Sequence, residues 1–194
     1  MNLAHCFTFL RILISPAFPI LYLEYEWFGI SLKMLPYIML FLLCISESSD
    51  VIDGLVARKF NQVTDLGKVL DPMADSVTRI SLFLTFTQGF VALPLVLVLV
   101  FFYRDFFIST LRTLCALRGI ALGARFSGKL KAVFQACVLF LILLMMIPYT
   151  MGLMSLETFR QICLFAVGSA ALYTVLSACD YFYANRLVIK KALA

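Results

Sequence analysis

The sequence predicts an all-α fold: a polytopic membrane protein of six transmembrane helices forming a single domain over residues 1–194. Composition is the first reason: 63% of residues are hydrophobic and 14% are charged, where a soluble domain carries about 25% charged residues. Spacing is the second, because the apolar residues arrive in blocks of about 20, the length at which a helix crosses a hydrocarbon layer about 30 Å thick. A mean hydropathy of +1.00 agrees with both.

The blocks run at about 7–27, 34–50, 68–89, 91–113, 130–149 and 161–183. The first contains Arg11 and lacks a small-x-small cleavage site ahead of an ordinary mature domain, so it reads as a retained span rather than a signal. Phe28-Gly29-Ile30-Ser31-Leu32-Lys33 separates it from the second. A short turn near Gln88-Gly89 parts the third from the fourth, which takes Pro94 in its first turn, where a missing N–H costs least. Cations then orient the bundle. Arg58, Lys59, Arg118, Arg125, Lys129, Lys131, Arg186, Lys190 and Lys191 fall on one side, against little beyond Lys33 and Arg160 on the other. The positive-inside tendency makes the first side cytoplasmic and places both termini there, in a bacterial-type cytoplasmic membrane.

Cys6, Cys44, Cys115, Cys137, Cys163 and Cys179 show no C-x-x-C spacing and sit mostly in apolar runs, where lone cysteines act as small hydrophobes. His5 is the only histidine, so a metal site built on imidazole or thiolate is not expected. The +5 net charge is accounted for by one membrane face, which leaves no case for nucleic acid as a partner.

Carboxylates carry the chemistry. Asp50 and Asp53 lie three apart at the end of the second block, and Asp71 and Asp75 four apart at the start of the third. Each spacing puts its pair on one helix face. An ionised Asp at the centre of a membrane helix costs roughly 2.5–3.5 kcal/mol, so four near one border need a purpose. The intervening segment, with Asn61-Gln62-Val63-Thr64-Asp65, is long enough to finish one helix, turn, and bring the next back antiparallel; Asp65 itself is expected to be a solvated loop residue. Capping of a helix end by Asp50 or Asp71 explains one carboxylate per end and leaves its partner unexplained. Converging carboxylates repel or protonate unless hard cations neutralise them, and an all-oxygen set suits Mg²⁺ or Mn²⁺, one or two ions that can bridge to substrate phosphates. A two-ion site holds a pyrophosphate and leaves one carboxylate to take a proton from an attacking hydroxyl. Gly54 and Gly67 remove side chains where a phosphate or nucleotide could approach, and Arg58 stands one turn beyond Gly54, within reach of a phosphate.

Asp50-x2-Asp53-Gly54-x2-Ala57-Arg58-x8-Gly67-x3-Asp71-x3-Asp75 resembles the full signature of the CDP-alcohol phosphatidyltransferase family. The resemblance implies a six-span enzyme, usually dimeric, that moves a phosphatidyl or related group from a CDP-alcohol such as CDP-diacylglycerol to an alcohol and releases CMP. It implies that Asp50, Asp53 and Asp71 ligate metal. Asp75 is implied to lie near the second ion and to act as the base, while Gly54, Ala57, Arg58 and Gly67 line the cytidine diphosphate site.

A second region bears on the acceptor. Tyr103-Arg104-Asp105 through Arg112 leads to Arg118-Gly119, then Gly128-Lys129-Leu130-Lys131 and Gln135. Arg104, Arg112, Lys129 and Lys131 stand on the side of the aspartates, a basic pocket beside an acidic one, as an acceptor that itself bears a phosphate requires. The plainer role for such cations is anchoring to anionic membrane lipids, which suits Arg104 and its neighbour Asp105 least, well before their helix ends. This stretch resembles the branch of the family whose acceptor is sn-glycerol 3-phosphate, with Asp105 and Ala132 where that branch usually has Glu and Thr. At the N-terminus Asn2, Thr8 and Arg11 match that branch, while Ala4, His5 and Phe7 depart from it. Other acceptors remain open: inositol phosphate, serine or another alcohol. An ion-coupled transporter would also use intramembrane aspartates, but gives no reason for Gly54, Ala57, Arg58 and Gly67 at their offsets. The Asp-Asp-x-x-Asp cluster of prenyl-diphosphate enzymes is absent.

Overall fold

A computed structural model of the chain describes residues 11–59, 65–117, 119 and 125–193, without the side chains of residues 50–59, 65–72, 187, 188 and 190–193. Among the described residues the elements are all helical: α1 (Ala17–Leu23), α2 (Leu35–Lys59), α3 (Asp65–Thr85), α4 (Leu95–Leu117), α5 (Phe126–Thr150) and α6 (Leu156–Leu193).

The first block is broken where a continuous span was expected. Residues 11–14 are helical, a turn follows at Ser15–Pro16, and α1 resumes at Ala17. Pro16 has no N–H to give and its ring crowds the preceding turn, so the helix restarts at this residue. Gly29, with φ of +67°, closes the turn beyond α1, its N–H donating to the Glu26 carbonyl at 2.9 Å. Residues 11–23 run parallel to α3. Arg11 meets Asp75, Ser15 Oγ lies 3.0 Å from Ser81 Oγ, and Tyr22 OH donates to the Gln88 carbonyl at 3.3 Å.

Burial follows helical periodicity. On α2 the buried strip is Leu35, Met39, Leu43 and Ser46; on α3 it is Ala74, Thr78 and Leu82, continued by Phe86 just past the helix end. The strip of α4 is Val98, Phe101, Ile108 and Cys115, and Asp105 and Arg112 fall within it at offsets of three and four. On α5 the buried set begins with Lys131 and Gln135 and continues through Val138, Leu139, Ile142, Leu143 and Met146. The inner faces of α4 and α5 are therefore polar at one end and apolar at the other. α5 and α4 both pack against α6, whose buried Ala166, Ala170, Ala171, Thr174 and Ser177 are small enough to let neighbouring backbones approach.

Among the described residues two helices, Phe126–Thr150 and Leu156–Arg186, are long and apolar enough to cross a membrane by composition, and Arg11–Leu23 and Leu35–Ser49 are shorter apolar helices. α4 has the length, with 23 residues, but carries Arg104, Asp105 and Arg112. Boundaries differ from the sequence expectation in both directions: α3 stops at Thr85 and α4 begins at Leu95, short of the expected 89 and 91, while other ends extend. α2 continues past Asp50 to Lys59, α3 starts at Asp65, and α6 runs well beyond the expected 161–183. Asp65, expected in a loop, is the first helical residue of α3, a position where a carboxylate is favoured by the exposed N–H groups and the helix dipole.

Candidate active site

The four signature aspartates stand on consecutive helices, Asp50 and Asp53 in the last ten residues of α2, Asp71 and Asp75 within the first eleven of α3. The backbone thus supplies the two consecutive helices that the spacing predicts, one on either side of residues 60–64, which lie outside the described residues. The side chains of Asp50, Asp53, Ala57, Arg58 and Asp71, and the surroundings of Gly54 and Gly67, lie outside the described residues, as do Asn2, Ala4, His5, Phe7, Thr8 and Arg118.

Asp75 is described, and it is a meeting point for cations. Arg11, 2% exposed, donates from Nη1 to Asp75 Oδ1. Arg79, one turn further along α3, brings Nη2 to 3.7 Å of Asp75 Oδ2 and Nε to 3.7 Å of Glu47 Oε1. Glu47 stands one turn before Asp50 on α2, so Arg79 ties the two aspartate-bearing helices together. Among the described residues no three His, Cys, Asp or Glu side chains are gathered closely enough to hold a metal ion. The expected donor set nevertheless fits a hard divalent ion: its four members are all carboxylates, and Asp75 already attracts two guanidinium groups.

The second cluster centres on Asp105. Its Oδ1 accepts from Arg104 Nη1 at 3.0 Å and from Lys131 Nζ at 2.6 Å; its Oδ2 accepts from Lys131 Nζ at 2.7 Å and from Ser76 Oγ at 3.1 Å. The side chains of Arg104, Asp105 and Lys131 are 13%, 11% and 5% exposed. Arg104 Nη2 also donates to Ser177 Oγ on α6 at 3.3 Å. A Cβ at position 128 would stand 3.3 Å from that same nitrogen, so Gly128 gives the guanidinium its room. One turn along α5 from Lys131, Gln135 is 2% exposed, and its Nε2 has no partner among the described residues.

The expected acceptor cations are thus divided. Arg104 and Lys131 converge on Asp105. Arg112 packs its guanidinium 5.4 Å from the Tyr181 ring centroid and donates from Nε to Tyr181 OH at 3.3 Å. Lys129 is exposed on the first turn of α5. That turn is fastened to α6, because Ser127 Oγ donates to Asp180 Oδ2 at 2.6 Å and Arg125 Nε lies 3.0 Å from the same oxygen.

Sequence reasoning missed Glu47, Ser76, Arg79 and Asp180, and gave Arg11 and Asp105 no role. A signal existed for Glu47 and Arg79, each a charged residue one turn from a signature aspartate within an apolar helix. None existed for Arg11 with Asp75, 64 positions apart. The two clusters adjoin through consecutive residues of α3, since Asp75 faces Arg11 and Arg79 while Ser76 holds Asp105. Such an arrangement suits a substrate anionic at two points, one beside carboxylates able to hold cations and one beside fixed cations.

Residues 1–178 match the model of the CDP-alcohol phosphatidyltransferase family. The CDP-diacylglycerol–glycerol-3-phosphate 3-phosphatidyltransferase of Bacillus subtilis (strain 168) is 32% identical, the match covering 97% of each chain. Proteins of the same name from Rickettsia typhi and Rickettsia prowazekii are each 30% identical over 94% of this chain, covering 96% and 94% of their own lengths. Signature, helical architecture and near full-length similarity agree, and the chain is a member of the CDP-alcohol phosphatidyltransferase family.

Proposed function

We propose that this enzyme transfers a phosphatidyl group from CDP-diacylglycerol to sn-glycerol 3-phosphate, releasing CMP and leaving phosphatidylglycerophosphate in the bilayer. The observation that carries the reading is the junction at Asp75 and Ser76, where the aspartate helix touches the buried cation cluster of Arg104 and Lys131. The activity for which the relatives are named supports it.

In this reading Asp50, Asp53, Asp71 and Asp75 hold two ions, Mg²⁺ or Mn²⁺. When bound, these offset charge on the diphosphate as its phosphorus–oxygen bond to CMP breaks. Gly54, Ala57, Arg58 and Gly67 line the cytidine diphosphate. Arg104 and Lys131 hold the acceptor's phosphate, Arg112 and the exposed Lys129 add attraction from further away, and Asp75 takes the proton from its free primary hydroxyl. The hydroxyl oxygen then attacks the β-phosphorus, and CMP departs. The whole chain, 1–194, acts as one catalytic domain of six spans with both termini and the site on the cytoplasmic side, and it works as a homodimer among membrane lipids.

The test is an acceptor panel. With CDP-diacylglycerol and Mg²⁺, glycerol 3-phosphate is expected to give a lipid product of the mass of phosphatidylglycerophosphate, with CMP in equal amount. Product only with inositol phosphate, serine or another alcohol would reassign the acceptor. Solute flux across sealed vesicles with no CMP would favour the transporter.

A further inference from the structure

The Asp105 carboxylate has both oxygens engaged, by Arg104 and Lys131 at Oδ1 and by Lys131 and Ser76 at Oδ2. A carboxylate so occupied between two cations is placed to hold them rather than to shuttle a proton. One negative charge against two positive ones leaves the cluster with net attraction for a phosphate while relieving repulsion between Arg104 and Lys131. The Ser76 hydroxyl is the only hydrogen bond among the described residues that joins this cluster to α3, and it comes from the residue next to Asp75.

We infer that Asp105 and Ser76 are positioning residues: Asp105 fixes Arg104 and Lys131 as a pair, and Ser76 sets that pair in register with Asp75. A small phosphorylated acceptor is held at one end and deprotonated at the other, so the offset between these helices decides whether its hydroxyl is aligned. A misplacement of about 1 Å can cost roughly 10²-fold in rate. The inference rests on the acceptor assignment proposed above, and deepens it.

The experiment measures CMP release by the purified full-length protein in mixed micelles, varying CDP-diacylglycerol and glycerol 3-phosphate in turn, with thermal midpoints recorded. Asp105→Asn is expected to raise the acceptor KM about tenfold and leave the CDP-diacylglycerol KM within about twofold, with Asp105→Glu recovering much of the loss. Ser76→Ala is expected to lower kcat about fivefold with both KM values little changed, and Ser76→Thr to restore it. Wild-type constants in Asp105→Asn would overturn the inference, as would both KM values moving in step with a fallen midpoint, the mark of a merely structural role. Should Asp105→Asn fail to fold, the Ser76→Ala and Ser76→Thr pair decides. If the wild type ignores glycerol 3-phosphate but uses inositol phosphate, and Asp105→Asn raises that KM, the proposed acceptor falls and the positioning role stands. Activity with a neutral alcohol alone, or with no acceptor, overturns both.

Discussion

The two ends of this bundle are held by opposite means. At the end where α1, the turn after α3, α5 and α6 meet, Tyr22 is 2% exposed and its ring packs edge-on against Phe86 at 5.6 Å. Its hydroxyl donates to the Gln88 carbonyl and accepts from Val91 N–H at 3.2 Å. Phe90, Tyr149 and Phe159 extend the aromatic cluster. Both of those bonds are to neutral backbone groups. At the other end, the inner strips of α4 and α5 turn polar, and Arg11, Arg79, Arg104 and Lys131 face Asp75 and Asp105. Buried ion pairs of this kind are weak sources of stability, because desolvation offsets much of their attraction. One end is thus held by neutral packing and the other carries buried charge, which the proposed function assigns to a ligand.

Substitutions can break that contrast, in decreasing order of effect. Asp71→Asn is expected to cut CMP release by roughly 10³-fold or more while the protein still folds, since it removes one charge from the expected ion-holding set; full activity in the variant would remove Asp71 from the reaction. Lys131→Ala leaves Asp105 with Arg104 and the Ser76 hydroxyl, and breaking such a buried pair typically costs about 3–5 kcal/mol. Both a lower thermal midpoint and an acceptor KM raised at least about tenfold are expected, with Lys129→Ala, at an exposed position, changing that KM by about twofold. An identical response from both lysines would place the acceptor phosphate at the surface instead.

At the opposite end, Gly89→Ala should cost stability but little catalysis. Gly89 has φ of +65°, and a Cβ there would come within 2.9 Å of Tyr22 Cε1 and Oη. Backbone strain and a forced shift of Tyr22 together predict a loss of about 1–3 kcal/mol in denaturant melts, with kcat unchanged at a temperature where the variant is folded. Tyr22→Phe keeps the ring and removes the hydroxyl that serves Gln88 and Val91, for an expected loss of about 1–2 kcal/mol. A large fall in kcat from either change would show the two ends to be coupled.

Much of this organisation is legible in the sequence, for physical reasons that also mark where reading stops. Helical periodicity and hydropathy place α2 to α6, because each buries one strip. The aspartates stand out because charge in apolar surroundings is costly. Asp105 and Lys131 were visible individually, but their pairing across 26 positions depends on how α4 and α5 are each set against α6. Spacing could not show that two expected acceptor cations already share a carboxylate. The break at Pro16 and the return of Arg11 to Asp75 are likewise products of packing. Helix ends, set by weak capping preferences, were the least legible, as Asp65 opening α3 illustrates.

In the proposed reaction, carboxylates on α2 and α3, supported by divalent ions, drive phosphatidyl transfer to a phosphorylated acceptor held by neighbouring cations. The most direct test incubates the purified protein with CDP-diacylglycerol and glycerol 3-phosphate in EDTA and then adds Mg²⁺ in excess. Silence in EDTA, followed by CMP and phosphatidylglycerophosphate appearing in equal amounts, is the predicted result. Undiminished CMP release in EDTA, or CMP without the lipid product after Mg²⁺, would contradict it.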